Sequence, residues 1–219
     1  RSMVIRAVVF DMDGVLVDSE AVWHAVRRDY VASFGGSWTE ANQRDCMGAN
    51  SAQWSSYIRM TFAAPFDEQR IFHDVVSMLR QRYTEVLPVI PGAQQAVRAF
   101  ADAGFQLAVA SSSPQTLIEF LVARLGLAEV FSVLVSSDAV KRGKPEPDVY
   151  LHACDRLGVD PSQAVAVEDS GNGILAAALA GLYVVAVPSR DFPPSPTSLA
   201  RADLVLDSMY DLDPGILRL

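Results

Sequence analysis

The sequence predicts an α/β protein: an open, doubly wound, mainly parallel sheet with a helical domain inserted after its first strand. Three observations predict it. Short, β-rich, continuously apolar runs recur along most of the chain, as expected of strands covered on both faces. Helical patterns with start and stop signals separate these runs, and such intervening helices join parallel strands. One long N-terminal stretch breaks the alternation and carries helical patterns only.

The elements follow in order. VIRAVVF (4–10) is the first strand, followed by FQLAVA (105–110), SVLVS (132–136), AVAV (164–167), YVVAV (183–187) and LVL (204–206). Pro114 opens a helix, PQTLIEFLVARL, that stops before Gly126. Pro147-Asp148 opens DVYLHACDRL before Gly158, and ILAAALA ends at Gly181. Between about Asp18 and Leu87, Trp23, Val26, Tyr30 and Phe34 share one helical face before Gly35-Gly36. Ile71, Val75, Met78 and Leu79 share another after a candidate cap at Asp67. Pro91-Gly92 marks the return to the sheet. Residues 1–17 and 89–219 are therefore expected to form a Rossmann-like catalytic core, and residues 18–88 a helical cap. The crossings near Val17–Asp18 and Pro88–Pro91 would let the cap hinge over the strand ends. There are no internal repeats, and VPSRDFPPSPTS (187–198) reads as a surface loop.

Composition bounds the function. A chain of 219 residues, 50% hydrophobic, can bury a full core and a smaller second domain. A net charge of −8 with scattered basic residues leaves no footprint for nucleic acid or an anionic membrane. Cys46 and Cys154 are the only cysteines and lack metal-type spacing, so they read as reduced, partly buried thiols. No signal peptide or spanning segment is evident, which predicts a cytoplasmic protein. Arg1-Ser2, ahead of Met3, reads as a cloning remnant. Without heptads or an apolar extension, a monomer is the default expectation.

In doubly wound sheets, ligands bind beyond the carboxyl ends of the strands, where the strand order reverses. Asp11 and Asp13 follow the first strand, Ser111, Ser112 and Ser113 the second, and Lys144 the third by a few positions. Glu168 and Asp169 follow the fourth, ahead of SGNG and a helix. Parallel strands deliver all of these to one edge. Acids, a lysine and serines gathered there suit a divalent cation and a phosphate. A phosphate dianion beside Asp11, Glu168 and Asp169 brings roughly five negative charges against three positive from Mg²⁺ and Lys144, so the metal is what lets the complex form. All-oxygen ligands that leave room for water suit Mg²⁺ and not Zn²⁺. The like charges would also help Asp13 hold a proton, as a general acid must.

FDMDGVLVDSE, LAVASSS, KRGKPEPDVY and VAVEDSGNGILAAALAG, in that order, resemble the four motifs of the haloacid dehalogenase-like hydrolase superfamily. The likeness is to its β-phosphoglucomutase-like and small-molecule phosphatase branch, which carries a helical cap after the first strand. The resemblance covers nearly the whole chain, although the cap matches in position and character more than in residues. It implies that Asp11 is the nucleophile that becomes an aspartyl phosphate. Asp13 would protonate the leaving oxygen and then act as base toward water. Ser111, Ser112 and Lys144 would grip the phosphoryl oxygens. Mg²⁺ would be held by Asp11, the backbone carbonyl of Asp13, and Asp169, with Glu168 bound directly or through a water. Gly14 would let the chain turn sharply beyond the acids.

The acid at Asp13 argues for phosphoryl transfer, since dehalogenases of this fold lack one there. The mutase branch carries a histidine, a Lys-Gly pair and an arginine in the cap, where this chain has Trp23, Met47 and about Ser51. His24 is offset by about 100° of helix turn. His24, His73 and His152 lack ligand spacing and read as surface or packing residues. The resemblance thus points to a Mg²⁺-dependent phosphatase of a small phosphorylated metabolite; the alternatives are a β-phosphoglucomutase-type mutase and a non-catalytic binder of such metabolites. In the cap, Trp23 would border the site. The loop MGANSAQW (47–54) would supply contacts through Asn50, by hydrogen bonding, and Trp54, by stacking. Its small neutral residues favour a neutral sugar or polyol leaving group, while Arg27, Arg28 and Arg59 could approach from cap helices.

Overall fold

The computed structural model describes residues 4–217. The ends of the expected core at 1–3 and 218–219, and with them the Arg1-Ser2 remnant, lie outside the described residues.

The chain enters the sheet at its centre with β1 (Ala7–Phe10). It then adds β2 (Gln106–Ser111) and β3 (Val133–Ser136) on one side, and β4 (Ala164–Glu168), β5 (Tyr183–Ala186) and β6 (Leu204–Val205) on the other. The order is β3-β2-β1-β4-β5-β6 and every pairing is parallel. The order reverses between β1 and β4, where Phe10 pairs with Val167. All six predicted strands are present; β1, β3, β5 and β6 are shorter than predicted, while β2 and β4 run one residue further at their C-terminal ends. Ser111 and Glu168 turn out to be the last residues of β2 and β4 and not the first residues of loops. Each still pairs with a neighbouring strand, which fixes its backbone.

Side-chain alternation along β1 divides the apolar interior in two. Ala7 and Val9 face small residues on neighbouring strands, Ala108, Ala110, Ala164 and Ala166. These let α7 (Asp148–Leu157) and α8 (Gly171–Ala180) approach closely. Val8 and Phe10 face the other way, under α5 (Ala93–Asp102) and α6 (Gln115–Arg124). There the Phe10 ring meets Phe100 and Phe131 edge-on, with centroids at 6.3 and 6.0 Å. Helix stops match the sequence signals: Gly158 and Gly181 close α7 and α8 with φ of 68° and 89°.

The insert consists of α1 (Glu20–Ala32), α2 (Glu40–Cys46), α3 (Ser51–Thr61) and α4 (Glu68–Glu85). Asp67 caps α4 as expected, accepting from the Arg70 amide at 2.8 Å. The apolar cluster beneath α5 and α6 runs without a break into the insert, through Trp23, Trp54, Leu79 and Tyr83. The two crossings lie side by side: Val17 and Val89 form an antiparallel bridge, and the Asp18 amide donates to the Pro88 carbonyl at 2.7 Å. A carboxylate provides a further tie across the molecule. Asp138, just after β3, accepts from the Ser51 amide (2.9 Å) and hydroxyl (2.5 Å) at the start of α3.

Candidate active site

The sharp turn after β1 starts the site. The Asp11 amide still donates to Val167 in the sheet at 3.0 Å, while its Oδ1 accepts from the Met12 amide at 2.8 Å. Gly14 has φ 80°, and a Cβ there would overlap the Asp169 carboxylate. Glycine is therefore required twice at this position, for the turn and for the approach of the acid.

Three carboxylates converge at the β1/β4 reversal. Asp11, Glu168 and Asp169 each offer an oxygen, and these lie within 4.8 Å of one another. Lys144 reaches them from the loop before α7, with Nζ 3.2 Å from Asp11 Oδ1 and 2.5 Å from Glu168 Oε1, and it also donates to the Ala110 carbonyl at 3.1 Å. Burial favours the neutral amine, but Asp11 and Glu168 outweigh it and hold the lysine pKa above its ordinary value. Burial, then Glu168, pushes the Asp11 carboxyl well above the usual range against the pull of Lys144. Asp169 is raised for the same reasons. Three acids against one lysine leave negative charge that a divalent cation would offset, and the donor set is all oxygen, so these residues fit Mg²⁺.

Asp13 stands apart from this cluster. Its carboxylate accepts from three hydroxyls: Ser19 at 2.6 Å, Ser113 at 2.7 Å and Ser111 at 3.2 Å. These fix its orientation from two segments, Ser19 ahead of α1 and the Ser111–Ser113 turn after β2. Ser111 is fully buried with its proton turned to Asp13, and its Oγ also accepts from the Ser113 amide. Ser112 borders the cavity instead, and its hydroxyl has no hydrogen-bond partner among the described residues.

Above these groups lies a cavity of about 410 Å³. Asp11, Asp13, Ser112, Lys144 and Asp169 line its floor, and Trp23 borders it from α1. Glu168, wholly buried, sits behind the wall. The remaining cap expectations need correction. Met47, Gly48 and Ala49 line the cavity, but Asn50 and Trp54 do not. Asn50 and Gln53 form a reciprocal capping box that starts α3 at Ser51, so the predicted loop is cut short. Trp54 then falls in the first turns of the helix and points inward, 1% exposed, stacked on Phe72 and edge-on to Trp23. Of Arg27, Arg28 and Arg59, Arg27 alone lines the cavity.

A family model described as haloacid dehalogenase-like hydrolase matches residues 5–181. The chain belongs to this hydrolase family. Hexitol phosphatase B of Escherichia coli (strain K12) is 32% identical over 213 residues, covering 95% of this chain and 94% of that protein. The phosphorylated carbohydrates phosphatase of Thermotoga maritima is 33% identical over 178 residues, 81% of this chain and 82% of the relative. Among solved structures, CbbY from Rhodobacter sphaeroides in complex with phosphate superposes with a TM-score of 0.87 at 29% identity, over 98% of this chain and 100% of that one.

Several polar neighbours in this haloacid dehalogenase-like hydrolase lie within the sequence motifs or loops without a role that the sequence assigns. Ser19 and Ser113 hold Asp13. Tyr150 on α7 donates to Glu168 Oε1 at 2.5 Å, and its ring lies 5.1 Å from Lys144 Nζ. Part of the 187–198 loop, including Ser189, Asp191 and Phe192, forms a cavity wall, and not merely surface. Ser19, Ser113 and Tyr150 lie within FDMDGVLVDSE, LAVASSS and KRGKPEPDVY, which is the local hint for each.

Proposed function

We propose that the chain is a small-molecule phosphatase that hydrolyses a sugar or polyol phosphate through an aspartyl phosphate on Asp11. One observation carries this reading: Asp11 lies on the floor of a substrate-sized cavity with a lysine 3.2 Å away and two further acids beside it. The names of the relatives, a hexitol phosphatase and a phosphorylated carbohydrates phosphatase, support the substrate class.

In this mechanism, the Asp11 carboxylate attacks phosphorus in line with the leaving oxygen. Asp13, held by its three hydroxyls, gives its proton to the departing alkoxide and then takes one from the water that cleaves the aspartyl phosphate. Lys144 and the Ser112 hydroxyl bind the equatorial phosphoryl oxygens, and Ser111 joins them on exchanging its Asp13 partner. Glu168, with Tyr150, holds Lys144 at its station. Asp11, Asp169, Glu168 and the Asp13 carbonyl would hold Mg²⁺, which when bound neutralises charge on the transferring group. Residues 18–88 act as the cap that excludes bulk water. We assign the protein to the cytoplasm as a monomer; no helix among the described residues is long and apolar enough to cross a membrane.

The mutase alternative has less support because Trp23, Met47 and about Ser51 stand where that branch carries a histidine, a Lys-Gly pair and an arginine. The test is phosphate release from a panel of sugar, polyol and small acid phosphates with and without Mg²⁺, with Asp11→Asn and β-glucose 1-phosphate isomerisation as controls. Metal-dependent release that the variant abolishes is expected. Isomerisation without release would replace this reading with the mutase.

A further inference from the structure

One cavity-facing group, a buried cation, has no part in the phosphoryl chemistry. Arg27 shares one face of α1 with Glu20 and Trp23, and all three line the cavity. The residue is only 4% exposed. Among the described residues, no carboxylate lies within 4.0 Å of its guanidinium. Its one hydrogen bond is a long one, from Nη1 to Gln43 Oε1 at 3.4 Å, and Nε has none. Trp23, Trp54 and Trp38 surround it, with ring centroids 4.5, 5.7 and 5.8 Å from the guanidinium carbon.

The surroundings are built to hold this geometry. Gln43 accepts from Trp38 Nε1 at 3.1 Å and donates to Glu20 Oε1 at 2.5 Å, which fixes the oxygen that Arg27 meets. Aromatic faces offset the charge above the guanidinium plane but accept none of its in-plane N–H groups. Asp13 and Glu20 act on it only through space. Most of the donor capacity of the guanidinium is therefore uncommitted to protein groups at the cavity wall, with Nε buried and unpartnered, a costly arrangement unless an anion is received there. The neighbouring wall, Met47, Gly48 and Ala49, is uncharged, so it offers the guanidinium no competing ion pair.

We propose that Arg27 is a specificity residue that binds a second acidic group, a carboxylate or a phosphate, on the leaving-group side of the substrate. The enzyme then prefers phosphorylated sugar acids or sugar bisphosphates to neutral polyol phosphates. This rests on the phosphatase reading above and narrows its substrate class.

The experiment compares kcat/KM of the Mg²⁺-loaded enzyme for sorbitol 6-phosphate, gluconate 6-phosphate and fructose 1,6-bisphosphate, with p-nitrophenyl phosphate as a common reference. The wild type is expected to favour at least one acidic substrate over sorbitol 6-phosphate by tenfold or more. The carboxylate and bisphosphate arms separate the two anion chemistries. In Arg27→Gln that preference collapses toward unity, mainly through KM, and Arg27→Lys restores part of it. Equal use of neutral and acidic substrates by the wild type overturns the proposal, and this arm holds even if the variants fail to fold. An equal loss on every substrate in an Arg27→Gln enzyme that unfolds in urea like the wild type also overturns it. Absence of release from all four compounds overturns the phosphatase reading itself, a result distinct from indiscriminate release.

Discussion

Gly173→Ala is the substitution for which local and tertiary physics give opposite signs. Gly173 occupies the third position of α8, where its amide donates to the capping Ser170 hydroxyl at 3.1 Å. In an open helix, replacing glycine by alanine gains about 1 kcal/mol. Here the added Cβ would overlap the Glu168 carboxyl group at its carbon and at both oxygens. Glu168 is wholly buried, and its Oε1 accepts from Lys144 and Tyr150, so it cannot retreat without moving both. Overpacking of this kind costs about 1–3 kcal/mol. Net of the helix gain, the variant should be destabilised by roughly 0–2 kcal/mol. Catalysis should suffer more, because displacing Lys144 by about 1 Å from the phosphoryl oxygens is enough for a loss of about 100-fold. Urea unfolding and steady-state phosphate release on the same preparation measure the two effects. A variant that is about 1 kcal/mol more stable and turns over within twofold of wild type would refute the reasoning.

Asp138→Ala removes the acceptor of two hydrogen bonds at the start of α3; at about 1 kcal/mol net for such bonds, KM should rise by roughly 3- to 10-fold while the fold persists, and an unchanged KM would sever the contact from cap closure. Trp54→Ala should destabilise by about 3–5 kcal/mol, as befits a buried residue stacked on Phe72; a loss of substrate affinity at unchanged stability would return Trp54 to the substrate. Burial raises the Cys46 and Cys154 thiols to about 11, so iodoacetamide at pH 8 should leave both unmodified in the native protein and label both in denaturant. Because these pKa values are raised on folding from about 9, the linked stability is present below pH 9 and lost as pH rises toward 11; rapid native labelling at pH 8 would contradict the burial effect.

Local signals in the sequence determined the parallel sheet, the helical insert and the edge at which the acids gather. Strand ends and helix caps are largely written in neighbouring residues: VVF before Asp11, Asp67 ahead of α4, and AVAV, which β4 outruns by one residue to Glu168. The nearness of Asp11, Lys144, Glu168 and Asp169 followed because parallel strands all end on one edge. Tertiary structure decided what lies across that edge. Ser113 reaches Asp13 over 100 positions, Ser51 reaches Asp138 over 87, and Tyr150 on α7 meets Glu168 at the end of β4. Trp54 illustrates the limit within the cap: its stacking capacity was legible, but its direction depended on the capping box that starts α3 and on packing against Phe72. Arg27 shows the converse, a cation among others in the sequence that three tryptophans and Gln43 enclose beside the cavity. Periodicity and capping act over one or two turns, whereas the partner and dielectric of a charged group are set by whichever distant segments the fold packs against it.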